Sequence, residues 1–136
     1  MKTILLLILV MVTSFASYAQ GGLKNKTNCA LRLIPVCYTP AGGGTCSGAP
    51  CGPGVLIPPQ SSLFPLPGCT SACMDPNGGY IIMYDASTGC NMSATVGNPG
   101  NPCPPFGTST TLPACPGCGG LMLTVTYIGN DIQIED

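Results

Sequence analysis

Beyond residue 20, apolar and polar positions alternate in short runs that glycine or proline interrupts. A period of two marks a strand with one buried face, because successive side chains on an extended backbone point to opposite sides. Residues 121–128 (LMLTVTYI) place Leu121, Leu123, Val125 and Tyr127 on one face, and residues 131–135 (DIQIE) return after Gly129-Asn130, a hairpin signal. In that last arm Ile132 and Ile134 alternate with polar residues, which makes it a candidate assembly strand for the edge of a neighbour's sheet.

A second hairpin is predicted from residues 80–84 (YIIMY) and 90–96 (CNMSATV). In its connector Asp85 suits the start of a type I turn, and Gly89 suits the left-handed position. Cys90, Met92, Ala94 and Val96 take the inward face, opposite Asn91, Ser93 and Thr95. Residues 30–38 (ALRLIPVCY) read as a further strand, and Pro35 inside it, having no N–H to donate, predicts an edge strand or a bulge. Residues 54–57 and 61–66 predict two shorter strands. Residues 40–53 and 97–107 are rich in glycine and proline and read as cysteine-bearing loops. No run beyond residue 20 carries a 3.6-residue apolar stripe, so helices are not expected there. The predicted fold class is all-β: a small, disulfide-rich antiparallel β-sandwich with long Gly/Pro-rich loops.

The N-terminus follows a different pattern. Lys2 precedes an unbroken apolar run over residues 4–12, and a more polar stretch leads to Ser17 and Ala19, the small residues that a signal peptidase reads. The run is too short to span a bilayer, which takes roughly 20 apolar residues. The expectation is a signal peptide over residues 1–19, cleaved after Ala19, then a single domain over 20–136 that is secreted or periplasmic and has no membrane span. Cleavage exposes Gln20, which is able to cyclise to pyroglutamate.

Composition narrows the function. Nineteen glycines and fifteen prolines, all beyond residue 20, make long regular elements hard to build. Charged residues are 7% of the chain, against about 25% in an ordinary soluble domain. Beyond residue 19 the cations are Lys24, Lys26 and Arg32 and the acids Asp75, Asp85, Asp131, Glu135 and Asp136, three against five, a net of −2. Three cations cannot make a basic patch, which argues against nucleic acid and against electrostatic attachment to anionic lipid. The same balance argues against a cationic membrane toxin.

Ten cysteines (Cys29, Cys37, Cys46, Cys51, Cys69, Cys73, Cys90, Cys103, Cys115 and Cys118) are an even number in an exported chain and read as a disulfide framework. Each bridge typically contributes about 2–4 kcal/mol by restricting the unfolded chain. Cys29 and Cys37 sit eight residues apart on an extended run, roughly 26 Å at about 3.3 Å per residue, too far to bond to each other. The short spacings Cys46 to Cys51 and Cys115 to Cys118 allow local loops.

Catalytic chemistry finds few parts. There is no histidine, so Ser-His-Asp and Cys-His arrangements are excluded. Asp75 and Asp85 are the only internal acids, and both fall in turns, where aspartate serves local hydrogen bonding. Residues 75–79 (DPNGG) have the flavour of a calcium loop without its further oxygen ligands. Cys115-Pro116-Gly117-Cys118 has redox spacing but leads into a strand-like run rather than a helix, so the two cysteines are expected to be structural. Zinc on Cys69, Cys73, Cys115 and Cys118 is the competing use of those thiols, disfavoured by export to an oxidising compartment. Tyr80 and Tyr84 share a strand face and are a candidate ligand platform, weighed against a plain core pair. Asn25-Lys26-Thr27 and Asn91-Met92-Ser93 match the N-glycosylation pattern and are taken as coincidences.

The expectation is a non-enzymatic exported protein with no cofactor and no metal. It acts as a subunit of an extracellular fibre, coat or matrix, and its partner is another copy, an extracellular protein or a glycan. The alternative is a secreted binding module, adhesin or inhibitor-like, that presents stapled loops to a glycan or protein ligand.

Overall fold

The computed structural model describes residues 21–41, 45–69, 78–97 and 107–136. The expected signal peptide lies outside them, as do Asp75, Cys73 and Cys103. The described residues form the strands β1 (Leu23–Asn25), β2 (Leu31–Ala41), β3 (Thr45–Pro50), β4 (Val55–Ile57), β5 (Ser61–Leu63), β6 (Gly79–Tyr84), β7 (Ser93–Gly97), β8 (Ser109–Leu112), β9 (Leu123–Ile128) and β10 (Asp131–Glu135). The only helical elements among them are two single 3₁₀ turns, Ala86–Thr88 and Pro116–Cys118.

The strands make two sheets. One runs β5-β1-β10-β9-β8; the other runs β3-β2-β6-β7, with β4 also on β2. Every pairing is antiparallel except β1 with β10, where Leu23 lies opposite Ile132 and Asn25 opposite Ile134 in parallel register. The sheet is therefore mixed rather than purely antiparallel: the chain's first strand closes against its last, and everything between serves as the crossover a parallel pair needs.

The alternation read from the sequence explains the core. Leu123, Val125 and Tyr127 of β9, Ile132 and Ile134 of β10, Leu31 and Leu33 of β2, Ile82 and Tyr84 of β6 and Val96 of β7 are buried in one cluster fed by both sheets. Each fully buried Leu or Ile contributes about 1.5–3 kcal/mol relative to exposure. Leu121 departs from the expected inward face: it precedes β9 and is exposed, because the two glycines before it delay the start of pairing.

The β6–β7 connector folds as its residues require. The Asp85 carboxylate accepts hydrogen bonds from Ser87 N at 3.1 Å and Ser87 Oγ at 2.7 Å, and caps the turn. Gly89 closes it at φ 73°, a conformation that a Cβ disfavours.

Two expectations for the middle of the chain are corrected. β2 is an interior strand, not an edge. It accepts Pro35 because β4 pairs with Leu31 to Leu33 and β3 begins at Val36, so the proline falls in the break between two strands on one side of β2. The loop read over residues 40–53 contains β3, whose TCSGAP composition carries no apolar alternation and which forms by backbone pairing to β2.

Candidate functional site

Two of the disulfides among the described residues meet at the β8–β9 connection, and a third lies beside Pro35 of β2. Cys90 bonds Cys115, Cys29 bonds Cys118, and Cys51 bonds Cys69. The local loops allowed by Cys46 to Cys51 and Cys115 to Cys118 are thus not formed. Cys115 and Cys118 instead anchor the β8–β9 connection to two different segments. Cys90–Cys115 ties it to the β6–β7 connection of the other sheet, and Cys29–Cys118 ties it to the run entering β2. The two 3₁₀ turns pack so closely that a Cβ on Gly117 would lie 2.2 Å from Thr88 O, so no other residue fits there without a shift. The result is a rigid tip whose apolar side chains Leu121 and Met122 are exposed.

The zinc set suggested by the sequence is not assembled, since Cys69, Cys115 and Cys118 belong to three separate bridges. A different sulfur group is: the Sγ atoms of Cys37, Cys51 and Cys69 lie within 4.8 Å of one another, with Cys37 and Cys69 3.6 Å apart. Among the described residues no cysteine is free, and Cys37 too is held in a disulfide.

The tyrosines are placed differently from an exposed pair. Tyr84 is 1% exposed, and its hydroxyl donates to Pro113 O at 2.9 Å. Tyr80 is half-buried, stacks on Tyr127 with ring centroids 6.5 Å apart, and donates to Pro67 O at 3.2 Å. Burial, and then the neighbouring Tyr127, push the Tyr80 hydroxyl up to about 12. Tyr84 therefore offers no ring face to a ligand, and the platform is corrected to a core residue beside a half-buried one. β-alternation put the two on one face; it did not say that the face is the inner one.

Ile132 and Ile134 are likewise fully buried, and β10 has β1 on one side and β9 on the other. That strand has no free edge, so the assembly role expected of it is corrected. The three-residue β1 that covers it is too short for its periodicity to be read.

Charge sits in an unusual place. Among the described residues, the strand-borne charges Lys24, Arg32, Asp131 and Glu135 all stand on β1, β2 or β10, which have partners on both sides. The edge strands β3, β4, β5, β7 and β8 carry none. Lys26 pairs with Glu135, and Arg32 pairs with Asp85 at 3.1 Å while also reaching Gly54 O at 3.5 Å. Proteins commonly blunt sheet edges with charge, lysine above all, to stop edge-to-edge pairing. Here that protection is missing.

One edge also extends furthest. β6 pairs with β2 only as far as Val36 opposite Gly79, whereas β3 continues along β2 to Ala41 opposite Thr45. Among the described residues, 37–41 and 45–49 therefore form a two-stranded, uncharged arm beyond the last rung of β6, and Gly48, Ala49 and Pro50 are exposed. Sequence reading missed the arm because Gly42-Gly43-Gly44 and two prolines looked like a loop; three glycines between equal threonine- and cysteine-bearing runs are the hairpin signal that was present.

Asp85 gives this region a pH response. Hydrogen bonds from the Ser87 side chain and backbone, then one from Arg32, hold its carboxyl at about 2, below its ordinary 3.8. A depressed carboxyl stabilises the fold above its unfolded value, and that contribution drains away as pH falls from about 4 to about 2. Asp85→Asn is expected to flatten the stability-against-pH curve in that window, read by denaturant titration at stepped pH; an unchanged slope would contradict the assignment.

No family model, curated protein or solved structure matches this chain. No helix of the described residues is long and apolar enough to cross a membrane.

Proposed function

We propose that the chain is an exported, single-domain β-sandwich without enzymatic activity that assembles with copies of itself into an extracellular fibre, coat or matrix. One observation carries the reading: among the described residues every strand-borne charge stands on an interior strand, while the edge strands and the two-stranded arm carry none. Backbone N–H and C=O groups on a neutral edge accept another strand without like-charge repulsion, and hydrogen bonding along the added strand provides affinity. The disulfides support persistence outside the cell, where no chaperone repairs a subunit.

A direct test places charge on the arm. Ala49 is exposed, so Ala49→Lys leaves the core untouched. Wild-type protein is expected to form larger species as concentration rises in size-exclusion and light scattering, and Ala49→Lys to need about tenfold more protein for the same state, equivalent to about 1.4 kcal/mol. Wild-type protein that stays monomeric at every concentration, with no assembled material on the native cell exterior, would overturn the proposal.

A second reading, a secreted binding module, is favoured by the rigid tip. Leu121 and Met122 stand exposed beside a doubly anchored connection, so little ordering entropy is lost when they dock. Such a module binds its protein or glycan ligand at fixed stoichiometry and does not elongate.

A further inference from the structure

Cys37 lies near the base of the arm on β2, opposite Ala49 of β3, and Cys51 directly follows β3. The Cys51 amide donates to Pro35 O at 3.0 Å, which keeps the end of β3 against β2. Cys69 reaches the same point from the segment after β5, so its bond to Cys51 fastens that segment to the arm's base. Two disulfides thus meet here, and the sulfurs of Cys37 and Cys69 are 3.6 Å apart. At this distance the two sulfurs are in contact; with all three sulfurs within 4.8 Å of one another, Cys37 stands beside the Cys51–Cys69 bond, and once released from its own bridge it has only to turn into line with that bond to attack it.

We propose that Cys37, Cys51 and Cys69 form a thiol–disulfide exchange site that switches the staple at the base of the arm. An external dithiol, the class of reductant that acts on exported proteins, opens the bridge that holds Cys37; the dithiol is oxidised to its own disulfide, and Cys37 and its former partner become thiols. The Cys37 thiol loses its proton to solvent and attacks Cys69 Sγ. A Cys37–Cys69 bond forms, the Cys51–Cys69 bond breaks, and the electron pair leaves on Cys51 as a thiolate that takes up a proton. Disulfide count is conserved in this second step.

Access sets the direction. Cys37 and Cys69 are half-buried whereas Cys51 is 6% exposed, so attack falls on Cys69 and Cys51 is the sulfur released. The fold tolerates the exchange, since Cys69 remains tethered to the same sheet through β2 instead of through the end of β3. What changes is the end of β3, which loses its covalent anchor at Cys51 while its ladder to β2 remains. The exchange stands on sulfur geometry alone and does not depend on the assembly reading.

The test is a time course on the full mature protein with a limiting small dithiol, quenched with acid, alkylated, and mapped as peptic peptides by mass spectrometry. The expected result is a Cys37–Cys69 linked peptide that rises while Cys51 alone of the three becomes alkylated. In Cys37→Ala, alkylation of Cys51 is expected to slow by about tenfold or more, because an intramolecular thiol at contact distance outcompetes a dilute external one. Three results would overturn the proposal: Cys37 alkylated while Cys51–Cys69 stays intact, Cys51 and Cys69 alkylated together, or Cys51 opening equally fast in wild type and Cys37→Ala. The wild-type map decides the matter even where the variant folds poorly.

Discussion

Replacing Cys29 and Cys118 together by alanine lowers stability by about 4–5 kcal/mol, the largest loss expected from any mapped bridge. The reason is the length of chain that this bridge encloses. Its cysteines are 89 residues apart in sequence, against 25 for Cys90–Cys115 and 18 for Cys51–Cys69. The entropy removed from the unfolded chain grows with the logarithm of loop length, so the two shorter bridges are worth about 3–3.5 kcal/mol each. Alanine at both positions avoids leaving a reactive thiol, and Cys29 is 1% exposed, so an apolar replacement suits its site. A domain of ordinary stability, roughly 5–15 kcal/mol, survives the change with little margin. Equilibrium denaturation of this double variant beside Cys51→Ala/Cys69→Ala is the measurement. The long-loop variant should be the weaker by more than 1 kcal/mol; equal losses would mean that the unfolded chain is already compact around Cys29 and Cys118.

How far the chain can be read without coordinates differs from element to element. The β6–β7 and β9–β10 hairpins were legible because their inward residues alternate over five or more positions and their turns carry Asp85, Gly89 and Gly129 where left-handed or capping geometry is needed. β1, β3 and β8 were not. Three or four residues cannot display a period, and β3 consists of small residues that form a strand only because β2 offers a ladder. The same limit hid the fate of β10: its pattern showed that Ile132 and Ile134 face one way, but the strand lying beside it comes from the opposite end of the chain. Partner choice in a sheet is non-local, and so is disulfide choice. Spacing excluded Cys29 with Cys37, yet it also made Cys115 with Cys118 look natural, when the 3₁₀ turn between them sends the two sulfurs to different partners. Charge scarcity was visible in composition; that the few charges avoid every edge strand needed the topology.

Asn25→Leu is expected to cost about 3–5 kcal/mol, although it exchanges one buried side chain for another of similar size. Asn25 is 1% exposed at the end of β1 and uses its whole amide. Nδ2 donates to Cys29 O at 2.8 Å and to Pro58 O at 3.0 Å, while Oδ1 accepts from Thr27 N at 3.1 Å and Thr27 Oγ1 at 2.8 Å. Thr27 Oγ1 accepts in turn from Cys29 N at 3.1 Å. One amide thereby holds the turn between β1 and β2 and fastens it to the segment after β4. Leucine leaves these groups buried without partners, each at roughly 1–3 kcal/mol, partly relieved by local relaxation. Both amide hydrogens of Asn25, the asparagine of the Asn25-Lys26-Thr27 sequon, are donated inward in the folded protein. Asn25→Asp separates the donor side from the acceptor side. A carboxylate still accepts from Thr27 but faces the two carbonyls with charge, and burial raises its pKa. Its destabilisation should therefore be smaller near pH 4, where a protonated carboxyl donates to one carbonyl, and should grow as pH rises toward neutrality. Denaturant midpoints of both variants at pH 4 and pH 7 make the check. An Asn25→Leu protein within about 0.5 kcal/mol of wild type, the range of an ordinary surface change, would show that the network does not hold the turn.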